Sequence, residues 1–191
     1  MDKNIKASFD NSDGKSVEKR DFLPDQSIVL VGLMGVGKTT VGRRLAKRMG
    51  LGFVDADEEI ERAAGLTVEE IFDRFGEDYF RDGERRVIAR LLEAKGQIIA
   101  TGGGAFMNDE TRALILEKAI AIWLDADLDT LVKRVGRRDT RPLLKSGDPA
   151  KILADLAAKR NPVYAAAHIH IMGNDSPHET TVEKIIEALQ R

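Results

Sequence analysis

The sequence predicts an α/β fold in which a parallel sheet is covered on both faces by helices. Two observations carry that expectation. After residue 26, short apolar runs alternate with segments of helical periodicity, and such alternation calls for crossover connections between parallel strands. The first of these runs leads into a glycine-rich loop and then a helical pattern, the strand–loop–helix order of an anion cradle.

The elements follow in order. Ile28, Val29, Leu30 and Val31 make the first buried strand. Beyond the glycine loop, Val41, Leu45 and Met49 stand four apart on one face of a helix. Gly52–Asp55 reads as the second strand, Gln97–Ala100 as the third, Ala119–Leu124 as the fourth and His168–Met172 as the fifth. Thr67 and Glu70 form a capping box that starts a helix ahead of Ile71, Phe72 and Phe75. The stretch from Glu77 to Lys95 is helical, with Phe80, Val87, Ile88, Leu91 and Leu92 inward. Asp148 and Pro149 open another helix, which Arg160 closes just before Asn161 and Pro162. Ser176, Pro177 and Glu179 predict a last capped start, with Pro at the first helical position and Val182, Ile185, Ile186 and Leu189 on one face. Trp123 reads as core.

The chain has 191 residues, which suits one domain, taken here as 26–191. Hydrophobic residues make up 42% and charged residues 32%, the balance of a soluble globular chain; a net charge of −2 argues against a dedicated nucleic-acid binder. Cysteine is absent, which excludes disulfides, thiolate metal sites and cysteine nucleophiles and fits a reducing cytoplasm. No apolar run approaches the roughly 20 residues of a membrane helix, so no membrane partner is expected. Residues 1–25 mix Lys3, Lys6, Lys15 and Lys19 with Asp2, Asp10, Asp13 and Asp21 around no apolar segment. They are expected to form a disordered tail rather than a signal peptide, with Pro24 marking where order begins.

Gly32, Gly37, Lys38 and Thr39 fill the phosphate-loop pattern G-x-x-x-x-G-K-[ST]. Backbone N–H groups of such a loop close on phosphate oxygens, Lys38 reaches the β- and γ-phosphates, and the Thr39 hydroxyl sits on Mg²⁺. Ligands of parallel sheets bind beyond the carboxyl ends of the strands, so the residues just after each strand matter most. After the second strand come Asp55 and Asp57, which share a side if the chain stays extended. One would hold Mg²⁺ through water, and the other would accept a substrate hydroxyl and take its proton. Asp57 equally suits the N-cap of the helix through Glu58, Ile60 and Glu61. After the third strand, Gly102, Gly103 and Gly104 either admit a ligand to the backbone or make a tight turn. Arg81 is a ligand-binding residue or the ion-pair partner of Glu77, and Arg160 binds a ligand or complements its helix's negative end. The segment Arg134 to Ser146, with Arg137, Arg138 and Arg141 among breakers Gly136 and Pro142, suits a flap that clamps phosphates or a solvated basic helix end. His168, His170 and His178 lack metal-ligand spacing, and the first two alternate with Ile169 and Ile171 as on an edge strand.

Taken together, G-L-M-G-V-G-K-T-T, F-V-D-A-D, F-G-E-D-Y-F-R-D-G-E, T-G-G-G-A, R-P-L-L and K-R-N-P-V-Y, in this order, make the chain from about Ile28 onward resemble the shikimate kinases. The resemblance implies the three-layer P-loop fold of nucleoside monophosphate kinases: a five-stranded parallel sheet of order 2-3-1-4-5, helices on both faces, and a lid at about 134–147. It implies phosphorylation of the 3-hydroxyl of shikimate by ATP with Mg²⁺, giving shikimate 3-phosphate and ADP on the route to chorismate and aromatic amino acids. By position, Gly35, Val36, Gly37, Lys38, Thr39 and Thr40 would hold the nucleotide, with Arg134 beside the adenine and Arg141 over the phosphates. Lys38, Asp57 and Arg141 would act in the chemistry, and Thr39 and Asp55 would support the metal, Asp55 through water. Asp57 would meet the substrate hydroxyls, Arg81 and Arg160 the carboxylate, and Gly102, Gly103 and Gly104 the pocket floor. Phe72 and Phe80 would form an apolar wall. A monomer in the cytoplasm is expected. A gluconate-type small-molecule kinase is the nearest rival, disfavoured by D-A-D with F-R-x-x-E. A non-enzymatic nucleotide switch of the GTP-binding kind would carry N-K-x-D, which the chain lacks.

Overall fold

The computed structural model describes residues 26–136, 148–173 and 177–191. Five parallel strands, β1 (Ser27–Val31), β2 (Gly52–Asp55), β3 (Gln97–Ala100), β4 (Ala119–Ala126) and β5 (Ile169–Gly173), form one sheet in the order β2-β3-β1-β4-β5. β1 is central, and all of its residues are buried, which is why its sequence is an unbroken apolar run rather than an alternating one. The edge strand β5 does alternate: Ile171 is buried while His170 and Met172 are exposed. His170 stacks on Trp123 with ring centroids 3.9 Å apart, and His168 Nδ1 accepts from the Ala121 amide at 3.0 Å. Trp123 is buried, as expected.

Seven helices connect the strands among the described residues: α1 (Lys38–Met49), α2 (Ala56–Ala64), α3 (Val68–Leu91), α4 (Asp109–Lys118), α5 (Leu128–Val135), α6 (Pro149–Tyr164) and α7 (His178–Leu189). α1 packs with α7, whereas α3, α4 and α6 gather around a short 3₁₀ turn, Ala105–Met107. Between these groups lies a core built on Ile28, Leu30, Leu45, Ile98, Ile99 and Ile122, each fully buried.

The capping box is present. Thr67 Oγ1 accepts from the Glu70 amide at 3.2 Å, and Glu70 Oε2 accepts from the Thr67 amide at 2.8 Å. Thr67→Ala is expected to lower the melting temperature by about 2–4 °C, measurable by calorimetry, because one helix-end donor loses its partner. Gly76, at φ 82° and ψ 176°, breaks α3 into two rods, so the two helical segments expected from sequence meet end to end.

Several boundaries differ from expectation. α3 ends at Leu91 rather than Lys95, since Gly96 at φ 68° turns the chain into β3. β4 continues to Ala126 because Asp125 and Ala126 pair with Met172 and Gly173 of β5, which itself starts one residue late. α6 does not stop at Arg160. It runs through Pro162 to Tyr164, giving up the hydrogen bond that a proline cannot donate, and the buried Tyr164 side chain holds the last turn in place. Asp148 caps α6 as expected, accepting from the Ala150 amide. Pro177 lies just outside α7 and makes no side-chain cap, so the first helical residue is His178; Ser176 lies outside the described residues.

Candidate active site

The loop between β1 and α1 curls through positive φ at Gly32, Gly35 and Gly37. Gly37 is the N-cap of α1 and offers no side chain, so the first amides of the helix are left to an external acceptor at its positive end. Lys38 Nζ folds across the loop and donates to Gly32 O at 2.7 Å and Leu33 O at 2.9 Å. Thr39 Oγ1 donates to Asp55 Oδ2 at 2.8 Å, and Asp55 Oδ1 accepts from the Asp57 amide at 3.1 Å. Asp55, not Asp57, therefore caps α2. The chain turns helical at Ala56, so the strand alternation expected to place both carboxylates on one side stops there. Both nonetheless border one cavity of about 310 Å³, together with Lys38, Thr39 and Gly102. A hydroxyl and a carboxylate joined in this way are hard oxygen donors, and they fit Mg²⁺, which binds through one or two protein groups and keeps water and phosphate oxygens as its other ligands.

Across the cavity, the end of β3 is fastened to β1. The amide and hydroxyl of buried Thr101 both donate to Leu30 O, at 3.2 and 3.0 Å. The three glycines that follow are crowded by charged side chains from distant elements. A β-carbon on Gly102 would stand 2.8 Å from Asp57 Oδ1 and 2.9 Å from Glu84 Oε1, and one on Gly104 would stand 2.5 Å from Arg81 Nη2. No side chain fits at either position without displacing a site residue. Arg160 Nη1 donates to Gly103 O at 3.0 Å, and the Tyr164 hydroxyl donates to the same carbonyl. α2, α3 and α6 thus bring Asp57, Arg81, Glu84 and Arg160 to one short turn.

Arg81 makes the ion pair that its spacing predicts, and a second one besides. It pairs with Glu77 at 3.1 Å, as its helical spacing suggests, and with Glu84 Oε2 at 2.7 Å. Burial disfavours the Arg81 charge, but Glu84 and Glu77 outweigh it and hold the guanidinium above its ordinary value. Glu84 is only 2% exposed, and its Oε1 has no hydrogen-bond partner among the described residues. Burial pushes the Glu84 carboxyl up from its ordinary value; Arg81 pulls it back, while the Asp57 carboxylate adds to the rise. Burial also pushes the Tyr164 phenol up to about 12, so it remains a donor.

The sign of the Glu84 shift has a measurable result. A carboxyl that holds its proton more tightly folded than unfolded contributes stability fully below its unfolded pKa and loses it as pH rises through the folded one. Glu84→Gln carries no such proton. Melting temperatures of wild type and variant should therefore move in the variant's favour as pH rises, and a gap independent of pH would refute the shift.

The remaining predicted residues fall as follows. Gly35 and Thr40 border the cavity, and Val36 is buried with its carbonyl accepting from Arg134 Nη1 at 3.3 Å. Arg134 belongs to α5 and borders the cavity too. Phe72 and Phe80 pack with their rings tilted by 38° and centroids 4.7 Å apart, and the Arg81 guanidinium lies 5.1 Å over the Phe80 ring. Arg141 and the rest of the expected lid from residue 137 to 147 lie outside the described residues. Sequence reasoning assigned no role to Glu84, Tyr164 or His178. Signals existed: Glu84 follows Arg81 by three residues and Tyr164 follows Arg160 by four, spacings that share a helix face, and His178 opens the helix after β5.

The family model described as "Shikimate kinase" matches residues 34–190. The chain is 58% identical over 168 residues to a shikimate kinase of Novosphingobium aromaticivorans, covering 86% of this chain and 87% of that one. It is 57% identical over 166 residues to a shikimate kinase of Caulobacter vibrioides, covering 87% and 83%. Among solved structures, the shikimate kinase from Acinetobacter baumannii in complex with shikimate superposes with a TM-score of 0.86 at 37% identity, covering 90% of this chain and 97% of that one.

Proposed function

The chain belongs to the shikimate kinase family, and from that premise we propose that it transfers the γ-phosphoryl group of ATP to the 3-hydroxyl of shikimate in the presence of Mg²⁺. The observation that supports this most is the meeting of Asp57, Arg81, Glu84 and Arg160 at Gly102–Gly104, across the cavity from the phosphate loop. Shikimate is a small anion with three hydroxyls. Its carboxylate calls for planar donors, which Arg81 and Arg160 supply. Asp57 accepts the hydrogen bond of the attacking hydroxyl, aligns its oxygen and takes the proton as the new bond forms. Phosphoryl transfer has a loose transition state with charge on the equatorial oxygens. Lys38 leaves its two carbonyl partners to meet that charge, and Arg141 is assigned to the same task from the lid. Thr39 and Asp55 would hold Mg²⁺, which screens the phosphate charge.

Phe72 and Phe80 back the acceptor side, and the Phe80 ring beneath the Arg81 guanidinium supports the donor fork of Arg81. A cysteine-free protein acting on small metabolites suits the cytoplasm, and a monomer supplies every residue named here. A coupled ADP-release assay of the purified chain decides the matter. Turnover with shikimate, and none with gluconate or nucleoside monophosphates, is expected; no turnover with shikimate overturns the proposal.

A further inference from the structure

Resting on the carboxylate reading of Arg160, the geometry assigns Tyr164 the role of a positioning residue: its hydroxyl holds the Gly103 carbonyl and so frees Arg160 to turn to the substrate. Arg160 and Tyr164 lie one turn apart on the same face of α6. Among the described residues, both donate to one atom, Gly103 O. A carbonyl oxygen has two lone pairs and can accept from both. The two donors differ in freedom. Tyr164 is fully buried, with its ring centroid 6.4 Å from that of Phe106 and 6.0 Å from that of Trp123. That packing fixes the direction of the side chain's one polar atom. Arg160 is partly exposed and carries its guanidinium on a long, rotatable stem.

The turn needs a fixed partner because of where it stands. A β-carbon on Gly103 would lie 3.4 Å from Arg160 Nη1 and 3.6 Å from both Gly32 O and the Met34 amide nitrogen. Gly103 therefore sits between the arginine and the phosphate loop. When Arg160 turns its fork to a carboxylate, it withdraws a hydrogen bond from Gly103 O. With Tyr164 in place, that oxygen keeps a donor. Without the hydroxyl, substrate binding strips the oxygen of its second donor as well, and the cost of doing so holds Arg160 back. The phenol, pushed up to about 12 by burial, stays a donor at any working pH.

Titration calorimetry with shikimate, and separately with ADP and Mg²⁺, tests the assignment on the purified full chain. Tyr164→Phe keeps the ring and its packing and removes only the hydroxyl. It should weaken shikimate binding by about 3- to 10-fold, the effect of one hydrogen bond to a partly buried carbonyl, and leave ADP within about twofold, which also shows that the variant is folded. Turnover at saturating shikimate should stay within about threefold, so the loss falls on the Michaelis constant. Arg160→Ala supplies the readout that a merely structural tyrosine would not move. In that background there is no guanidinium to release, and adding Tyr164→Phe should cost less than about twofold more. Three results would overturn the role of Tyr164: wild-type shikimate affinity in Tyr164→Phe, equal losses for shikimate and ADP, or the same loss with and without Arg160. Wild-type shikimate affinity in Arg160→Ala would overturn the carboxylate reading and this role with it. Wild-type protein that binds shikimate but does not phosphorylate it would overturn the proposed reaction and leave the role of Tyr164 standing.

Discussion

Asp57→Asn is expected to lower turnover with shikimate by about 100- to 10,000-fold, the range that a positioned general base contributes. The replacement keeps the shape of the side chain and removes its charge and its capacity to take a proton. It should not unfold α2, because the cap of that helix is Asp55. It leaves in place the Thr39–Asp55 hydrogen bond that ties the phosphate loop to this strand end. ADP affinity is therefore expected to stay near that of wild type while the catalytic constant falls. Steady-state kinetics alongside calorimetric ADP binding checks both parts, and near-normal turnover would remove Asp57 from the chemistry. A secondary result is expected as well: with the Asp57 charge gone, Glu84 loses one of the influences that raise its pKa.

Arg81→Ala is expected to raise the Michaelis constant for shikimate by about 10- to 150-fold, corresponding to the roughly 1.5–3 kcal/mol of a charge-assisted hydrogen bond. The constant for ATP should change little, because Arg81 lies on the acceptor flank; equal effects on both would contradict a carboxylate role. Stability should fall too. Removing Arg81 leaves the buried Glu84 carboxylate without its cation, and breaking a buried pair typically costs several kcal/mol. Arg81 is 26% exposed on its side chain, so solvent already screens the pair and the expected cost is about 1–3 kcal/mol. Adding Glu84→Gln to Arg81→Ala separates the two consequences. The double variant should regain most of the lost melting temperature, since no charge is left stranded, and none of the lost affinity for shikimate.

What the sequence made legible was whatever depends on neighbours along the chain. Strand–helix alternation and the context of Lys38 and Thr39 forecast a parallel sheet with a phosphate cradle, and the strands lie within a residue or two of where their apolar runs put them. Local rules also misled. Pro162 looked like the end of a helix because a proline lacks a donor, yet the burial of Tyr164 carries α6 past it. Asp55 and Asp57 were related by strand alternation, which ceases when Asp55 caps the helix that holds Asp57. The triplet Gly102–Gly104 could not be told from an ordinary turn, because the groups that crowd it come from α2, α3 and α6. Glu84 stands in the F-R-x-x-E mark, but its role was hidden for the same reason. Its interest lies in being buried against Asp57 and Arg160, and burial by remote elements leaves no mark on local spacing.

The hydrogen bonds from Thr101 to Leu30 O join the residue just after β3 to the strand that carries the phosphate loop. Donor and acceptor cradles thus spring from adjacent strands of one sheet, about 4.8 Å apart, and are riveted together where they begin. In the proposed reaction, the separation between the γ-phosphorus and the attacking oxygen is the gap between these two cradles. The register of two neighbouring strands sets that gap in advance, and the side chains around it are left to choose which hydroxyl occupies the far end.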